Sequence, residues 1–428
     1  TSPDSLGFSL VPAVDDIGAD WSDGANWRAS SAIGGSPNVD DPFIAIQPVL
    51  ISEVLTNPGS TSVDAIELYN PNPTAAEIGG WYLSDSRKNP KKWKIPSGTR
   101  IPANSYLVFY EGHYQGSTLA YNTNEFGQAF GLSSNGDDIY IFSANATEAL
   151  TGYEHGFDYG AIEEGVTFGR YINSLGKEHF VAQAASTLGA RNSNPRVGPI
   201  VFNQIMYNPQ SDQYEYLELV NISGQDVKLF HEQELTPWKV EGINFSFPTN
   251  VTLKPGQSVY LVESRIAPND FRYFFNLDAE TKVYNFDGSL KNEGEEITLF
   301  KPASQYVEDN IPVTPYIRID KVDYNDNENW PDADGNGYVL MRITKTAYGN
   351  DPINWVASPP SIKIKSFILP AIVQYVPYQV DLDVSGGTAP YVWSVISGSL
   401  PSGLVLNSSS GELSGTTTGV GSYSFKVK

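Results

Sequence analysis

Cysteine is absent from the 428 residues, and methionine occurs only twice. Without cysteine the chain can form neither disulfide bonds nor thiolate metal sites. Basic residues are also scarce, since 27 Lys and Arg stand against 49 Asp and Glu, giving a net charge of −22. This deficit disfavours nucleic-acid backbones and anionic lipid, both of which need clustered Lys and Arg. No run of 18 apolar residues occurs, so we expect no membrane-inserting helix.

The residues that are abundant favour strands and turns. Tyr (25) and Phe (20) suit strands, while Gly (38) and Pro (29) supply turns. A hydrophobic content of 40% is ample for packed cores. At roughly 150 residues per domain, the length predicts about three domains.

The chain repeats itself over a long period. Residues 51–58 (ISEVLTNP) and 64–70 (DAIELYN) match residues 202–209 (FNQIMYNP) and 215–221 (EYLELVN). The offset is the same in both cases, because 202 − 51 and 215 − 64 both equal 151. A period this long indicates two copies of one domain rather than a solenoid of short repeats.

Each copy carries a glycine-led acidic turn before a short strand pattern. Gly-Asp-Asp at 136–138 precedes residues 139–142 (IYIF), and Gly-Glu-Glu at 294–296 precedes residues 297–300 (ITLF). Many such short strands with Gly, Pro and Asn between them predict an all-β chain of tandem β-sandwich domains.

We predict four segments from these patterns. The two copies span residues 43–198 and 199–360, and the second is divergent. NWRAS at 26–30 resembles NWVAS at 354–358, late in the second copy. Residues 1–42 are therefore predicted to be the C-terminal strands of a preceding copy. Residues 361–428 form a different module, and its last strand pattern at 423–427 predicts that the chain belongs to a longer protein.

The two copies resemble lamin-tail domains, the Ig-like sandwiches of nuclear lamins that also occur in many exported bacterial proteins. In the first copy the matching motifs are ISEV at 51–54, IELYN at 66–70, GWYLSD at 80–85, WKIP at 93–96, IPAN at 101–104 and GDDI at 136–139. The second copy departs from the pattern at 229–240 (LFHEQELTPWKV) and in an aromatic-rich insertion around 265–277.

The last module resembles the Putative Ig, cadherin-like repeats of bacterial surface proteins. GGTAPYVWS at 386–394 and GSLPSGLVLN at 398–407 carry this resemblance. In such proteins these modules serve as spacers and adhesive arrays. The resemblance therefore implies an extracellular or cell-surface location.

One loop has the spacing of a calcium site. Asp332, Asp334 and Asn336 alternate within the segment DADGNG, so their oxygens could converge on a hard cation. The loop lacks the distant Glu of a complete calcium loop, and an Asx-rich turn explains the same residues. Calcium is therefore the one cofactor we consider. A second acidic cluster, at Asp15, Asp16, Asp20 and Asp23, is either a solvated loop or a site for a cation shared with a neighbouring domain.

No motif predicts catalysis. Adjacent carboxylates, as in Asp137-Asp138 and Glu295-Glu296, point to opposite faces of a strand and cannot cooperate on one bond. The four histidines form no metal-binding pair, and neither a nucleophile elbow nor a phosphate-binding loop occurs. We expect a protein that is not an enzyme.

The aromatic residues fall into three groups. We predict that four tryptophans lie in cores. These are Trp81, Trp93, Trp238 and Trp393. Tyr110, Tyr114, Tyr121 and Phe126 cluster near a loop and could pack internally or contact a sugar or a protein. The insertion at 269–276, which includes Phe271, is predicted to be helical and to contact another domain.

The leading hypothesis is a non-enzymatic, extracellular structural or adhesion segment of a larger exported bacterial protein, such as a stalk, surface array or fibre. Its expected partners are neighbouring domains or copies of itself, together with a surface glycan or protein. One alternative is a carbohydrate- or polymer-binding accessory region of an exported enzyme. Another is a self-assembling filament subunit. Nucleic acid and membrane insertion are not expected.

Overall fold

The structure is a computed structural model. It describes residues 6–13, 19–42, 46–59, 62–111, 130–210, 213–275, 277–327, 329–335, 337–359, 363–364, 369–385 and 390–428. Strands dominate these residues, as the all-β prediction requires. The chain divides into two compact units, one of Thr1–Arg196 with Lys301–Arg318 and the other of Val197–Phe300 with Ile319–Lys428.

The first copy is a β-sandwich preceded by a hairpin. Its strands are β1 (Phe8–Pro12), β2 (Trp27–Ile33), β3 (Leu50–Leu55), β4 (Ala65–Asn70), β5 (Ala76–Glu77), β6 (Tyr82–Ser84), β7 (Trp93–Lys94), β8 (Arg100–Ile101), β9 (Ser105–Tyr110), β10 (Gly136–Ala144), β11 (Leu150–Gly160), β12 (Phe168–Ile172) and β13 (Glu178–Ala182). A five-stranded sheet has the order β13-β12-β3-β4-β9, and a four-stranded sheet has the order β11-β10-β6-β7. Strands β5 and β8 form a separate ribbon.

Period-two alternation builds the core between these sheets. Ile66 and Leu68 of β4 and Ile139 and Ile141 of β10 are fully buried and belong to one cluster. The intervening side chains point to the opposite faces of their sheets, because successive residues of a strand alternate. The predicted core tryptophans of this copy, Trp81 and Trp93, lie in the same cluster.

The hairpin of β1 and β2 covers the outer face of the four-stranded sheet. Phe8 and Ala29 pack with Tyr140 and Phe142, which alternate with the core residues of β10. The approach is so close that a Cβ on Gly152, whose φ is +81°, would lie 2.7 Å from Ala29 Cβ. The hairpin pairs Pro12 with Trp27, much as Arg342 pairs with Trp355 at the end of the second copy. Its assignment to a preceding copy, like the four segment boundaries, stays a prediction.

The second copy repeats the sandwich and contains one α-helix among its described residues. Its elements are β14 (Ile200–Met206), β15 (Tyr216–Asn221), β16 (Val227–Lys228), β17 (Lys239–Glu241), β18 (Phe245–Ser246), β19 (Thr252–Leu253), β20 (Ser258–Glu263), α1 (Pro268–Phe274), β21 (Lys282–Phe286), β22 (Gly294–Pro302), β23 (Tyr306–Glu308), β24 (Ile311–Val313), β25 (Tyr316–Asn325), β26 (Val339–Arg342) and β27 (Trp355–Ser358). The sheets have the orders β21-β20-β15-β14-β26-β27 and β18-β17-β22-β25, with a ribbon of β16 and β19. Trp238 lies in the core between them, as predicted.

The insertion is helical as predicted, Phe271 within it packs inside the second copy, and its contact with another domain stays a prediction. Helix α1 begins with Pro268, a residue favoured at the first helical position. Phe271 is fully buried in a satellite cluster with Tyr216 and Val262, inside the second unit. Its aromatic ring therefore completes the second copy's own packing.

A segment that runs from the end of β22 to the start of β25 belongs to the first compact unit. This segment, Lys301–Arg318, contains the β23–β24 hairpin. Lys301 Nζ lies 2.6 Å from a Glu163 carboxylate oxygen, and Arg318 Nη2 donates to the Phe180 carbonyl at 3.0 Å. The compact units therefore do not follow the repeat boundaries at this segment.

The C-terminal module has a smaller core. Its strands are β28 (Lys363–Ile364), β29 (Pro377–Asp381), β30 (Val384–Ser385), β31 (Val395–Gly398), β32 (Leu404–Leu406), β33 (Glu412–Thr416) and β34 (Phe425–Val427). They pair as β28-β30, β29-β33-β32 and β31-β34. Trp393 is buried, as predicted, and a Cβ on Gly411, whose φ is +77°, would lie 2.6 Å from its ring. Val392 and Val405 remain largely exposed.

Candidate functional site

In the predicted calcium loop, the carboxylates of Asp332 and Asp334 accept internal hydrogen bonds. Asn208 Nδ2 donates to the Asp334 carboxylate, and the Asp334 backbone N–H donates to Asp332 Oδ1 at 3.3 Å. Asn336 lies outside the described residues. Within the part of the chain that the structure describes, no group of three or more His, Cys, Asp or Glu could hold a metal ion. The structure therefore gives calcium no support, and Asp332 and Asp334 fit the Asx-turn reading.

The second acidic cluster is described only in part. Asp15 and Asp16 lie outside the described residues. Asp20 is exposed and accepts hydrogen bonds from the Ser22 hydroxyl at 2.6 Å and backbone N–H at 2.9 Å, which lower its pKa. These bonds make Asp20 part of a local turn.

The acidic turns of the two copies have a structural function. Asp137 Oδ2 accepts from the Ser133 backbone N–H at 3.1 Å, and Glu295 Oε1 accepts from that of Lys291 at 2.9 Å. Each carboxylate thus closes the turn that leads into the strand. The expectation that these pairs serve turns rather than catalysis agrees with this geometry.

A cleft of about 410 Å³ lies on the first copy, and sequence reasoning missed it. Tyr69 of β4 and Tyr106 of β9 are cross-strand partners on its wall. Their rings stack at a centroid distance of 4.7 Å and an interplanar angle of 27°. Tyr69 follows the core residue Leu68, so alternation places it on the outer face of the five-stranded sheet. Tyr114, Tyr121 and Phe126, which the sequence places near a loop, lie outside the described residues.

Two buried carboxylates hold the loop beside this tyrosine pair. Glu53 and Glu67 are cross-strand partners on β3 and β4, and both are fully buried. Glu53 Oε1 accepts from the Thr187 backbone N–H at 2.9 Å, and Glu67 accepts from that of Gly189. Burial raises the pKa of Glu67 to about 7, although its hydrogen bonds oppose this change. The pair therefore anchors the loop that leads to Arg191.

Arg191 and Asn192 complete the cleft. Asn192 Nδ2 donates to the carbonyls of Ser52 at 2.9 Å and Arg170 at 3.0 Å, which fixes the loop to two strands. Arg191 is exposed. Its charge and that of Arg170 oppose the burial that raises the pKa of Tyr106. No carboxylate among the described residues forms an ion pair with Arg191.

A polar network lies behind the cleft. The Ile51 backbone N–H donates to His155 Nδ1 at 2.9 Å, so a neutral ring carries its proton on Nε2. That nitrogen lies 3.3 Å from Glu178, which also pairs with Arg170. Burial alone would raise the pKa of Glu178, but its contacts with His155 and Arg170 outweigh burial and lower it to about 2.

The second copy places a different network at the same position. Gly169 pairs with Glu53, and Met341 pairs with Gln204, so the next residues, Arg170 and Arg342, are equivalent. Arg342 is completely buried and binds Asp320 with two bonds of 2.9 and 3.0 Å.

The second copy also lacks the tyrosine pair. Its cross-strand residues at those places are Val220 and Ser258. A cavity of about 290 Å³ beside Ser258 is lined by Asp278, Glu280 and Lys282, with no arginine in its lining. The cleft that combines the stacked tyrosine pair with two arginines therefore belongs to the first copy.

This architecture defines a tandem Ig-like β-sandwich protein. The family model described as Lamin Tail Domain matches residues 44–156 and 193–325, more than half of the chain, and the chain belongs to this family. The Putative Ig domain model matches residues 360–428. Both resemblances noted in the sequence are thereby confirmed.

The other comparisons add no relative. No curated protein and no solved structure matches the chain. Among the described residues, no helix has the length and apolar character needed to cross a membrane.

Proposed function

We propose that this chain is a non-enzymatic structural and adhesion segment of a larger exported bacterial protein, located outside the cell or on its surface. Its partners are neighbouring domains or copies of itself. The tandem arrangement of lamin tail and Ig-like modules supports this role, since arrays of such modules suit spacing and presentation.

The observation that carries this proposal is that buried carboxylates bind backbone N–H groups of their own copy. Glu53, Glu215 and Asp320 each accept a hydrogen bond from a backbone N–H, those of Thr187, Leu290 and Phe202. A catalytic carboxylate must instead face a position that a substrate can occupy. The buried acids therefore stabilise loops and strands, as a scaffold requires.

Protease treatment of intact cells that produce the full protein tests the location. We expect brief proteolysis to release peptides from this chain while a cytoplasmic marker stays uncut. Peptides that appear only after cell lysis would contradict a surface role. Deletion of residues 43–428 should reduce attachment of the cells to surfaces, with the abundance of the remaining protein as the control.

A second candidate function is glycan binding as an accessory region, and the Tyr69–Tyr106 cleft favours it. Concave sites that combine aromatic rings with a few polar groups commonly bind small ligands. Affinity electrophoresis of the full chain through gels containing soluble polysaccharides tests this function. Retardation by at least one polysaccharide supports it, and equal mobility in all gels contradicts it.

A further inference from the structure

We propose that the cleft of the first copy binds a carboxylated sugar, such as a uronic acid unit of a polysaccharide, with the carboxylate on Arg191 and the ring against the tyrosine pair. This inference rests on the glycan-binding candidate and adds the chemical class of its ligand. It concerns residues 52–194 of the first copy, all of them within one compact unit.

The charge of the cleft is opposite to that of the chain. Its lining contains Arg170 and Arg191 and no Asp or Glu, whereas the whole chain has a net charge of −22. Arg170 is already paired with Glu178. Arg191 is exposed and forms no ion pair within the described part of the molecule. It therefore offers its guanidinium to an external anion.

A carboxylate suits this guanidinium better than a neutral hydroxyl does. Arginine presents parallel N–H donors that match the two oxygens of a carboxylate, and such charged bonds are stronger than neutral ones. The neighbouring acids do not compete for it. Glu53 and Glu67 are buried, and their oxygens accept hydrogen bonds from Thr187 and Gly189.

The tyrosine pair supplies the flat, apolar part of the site. Tyr69 and Tyr106 are half-buried, stacked and held in register by adjacent strands. Rigid aromatic side chains offer contact area at a small cost in conformational entropy. The pyranose ring of a sugar has apolar C–H groups on its faces that can pack against such rings. The carboxylate and ring of one uronate unit thus match the two parts of the site.

The loop that carries Arg191 is held in place before any ligand arrives. Thr187 and Gly189 are bound to Glu53 and Glu67, and Asn192 is bound to Ser52 and Arg170. A preformed site loses less entropy on binding than a mobile one does. The cleft therefore needs no rearrangement to accept a ligand.

The test is calorimetric titration of the full chain with galacturonate oligomers in calcium-free buffer, compared with neutral galactose oligomers of the same linkage. We expect binding of the acidic oligomers and at least tenfold weaker binding by the Arg191→Gln variant. Arg100→Gln is the matched control, because Arg100 is an exposed arginine of the same copy and pairs with Glu77 away from the cleft. It should bind as the parent chain does.

The double variant Tyr69→Val with Tyr106→Ser tests the role of the tyrosine pair. It introduces the residues that the second copy itself has at these positions, Val220 and Ser258. We expect it to lose binding of acidic and neutral sugars while its thermal unfolding keeps the same transitions. Retained binding by this variant would overturn the proposed position of the sugar.

The outcomes separate the inference from the function on which it rests. Equal binding of acidic and neutral oligomers, with no effect of Arg191→Gln, keeps the glycan function and overturns the carboxylate assignment. Binding of free glucuronate and acetate with equal affinity overturns recognition of the sugar ring. If no acidic or neutral saccharide binds at all, the inference and the glycan function both fall.

Discussion

The two lamin tail copies use the same position in their sheets for different purposes. In both, the first central strand has a register shift at the repeated motif, between Ile51 and Glu53 and between Phe202 and Gln204. The Ile51 backbone N–H is bound by His155, whereas that of Phe202 is bound by Asp320. Both copies therefore have a bulge whose backbone N–H needs an acceptor, and a different side chain provides that acceptor in each copy.

The two copies differ in the surroundings of their equivalent arginines, Arg342 and Arg170. Arg342 is buried with Asp320, and its guanidinium carbon lies 5.5 Å from the centre of the Trp355 ring. Arg170 pairs with Glu178, and both side chains keep part of their surface in water. A fold can therefore use one arginine as an internal brace in one copy and leave its equivalent beside an open cleft in another.

We expect the largest effect from breaking the buried ion pair of Arg342 and Asp320. Arg342→Met should destabilise the second copy by about 3–5 kcal/mol, because it leaves Asp320 buried without its partner. The equivalent Arg170→Met should cost the first copy only about 1 kcal/mol, since that pair is partly exposed. Scanning calorimetry of the full chain can compare these variants with the parent. Equal losses in both variants would show that burial does not distinguish the two pairs.

A second effect depends on the raised pKa of Glu67, which is about 7 against an ordinary value of 4.5. The folded state holds this proton more tightly than the unfolded state, so stability is lost as the pH rises from about 4.5 through 7. The expected loss by pH 8 is about 3 kcal/mol in the first copy. Glu67→Gln should remove this part of the pH dependence, measured by urea unfolding at pH 5 and pH 8.

The second copy provides the comparison for that measurement. Burial raises the pKa of Glu215 to about 7 and that of the equivalent residue Asp64 to about 6. Both copies should therefore lose stability over this pH range. Glu215→Gln should reduce the loss in the second copy alone. A parent chain whose unfolding is the same at pH 5 and pH 8 would contradict both assignments.

A third effect has the opposite sign and belongs to the first copy. Glu178 has a folded pKa of about 2, below its ordinary value of 4.5. Its contribution to stability is present above about pH 4.5 and is lost as the pH falls through 2. We expect about 1 kcal/mol after allowance for solvent screening. Glu178→Gln should make unfolding of the first copy less sensitive to acid, while its response between pH 5 and 8 stays as in the parent.

The smallest expected effect concerns the segment Lys301–Arg318. Glu163 accepts ion pairs from Lys301 and from Arg196, each at 2.6 Å. Glu163→Gln should cost less than about 1 kcal/mol, because these side chains are partly exposed. Hydrogen exchange should nevertheless become faster in the 301–318 segment than in the parent. Unchanged exchange there would mean that the hairpin is held by its backbone and apolar contacts alone.

Much of the architecture was predictable from local patterns. Alternating apolar residues, glycine-led turns and the 151-residue offset are properties of short segments, and they predicted the all-β fold, the turn function of Asp137 and Glu295 and the buried tryptophans. The cleft was not predictable in this way. Tyr69, Tyr106 and Arg191 are far apart in the chain, and each alone fits an ordinary surface position. A signal existed in the comparison of copies, since Val220 and Ser258 stand where the tyrosines lie.

The order of neighbouring residues accounts for the strand pattern, the repeat and the membership of the lamin tail family, because each of these is a property of short segments and their succession. Which distant groups meet depends instead on how the whole sandwich packs. Strand register places Tyr69 opposite Tyr106. Hydrogen bonds to the buried acids Glu53 and Glu67 hold the loop of Arg191 beside this tyrosine pair. Register and loop closure depend on the packing of the whole sandwich, so no short segment contains that information.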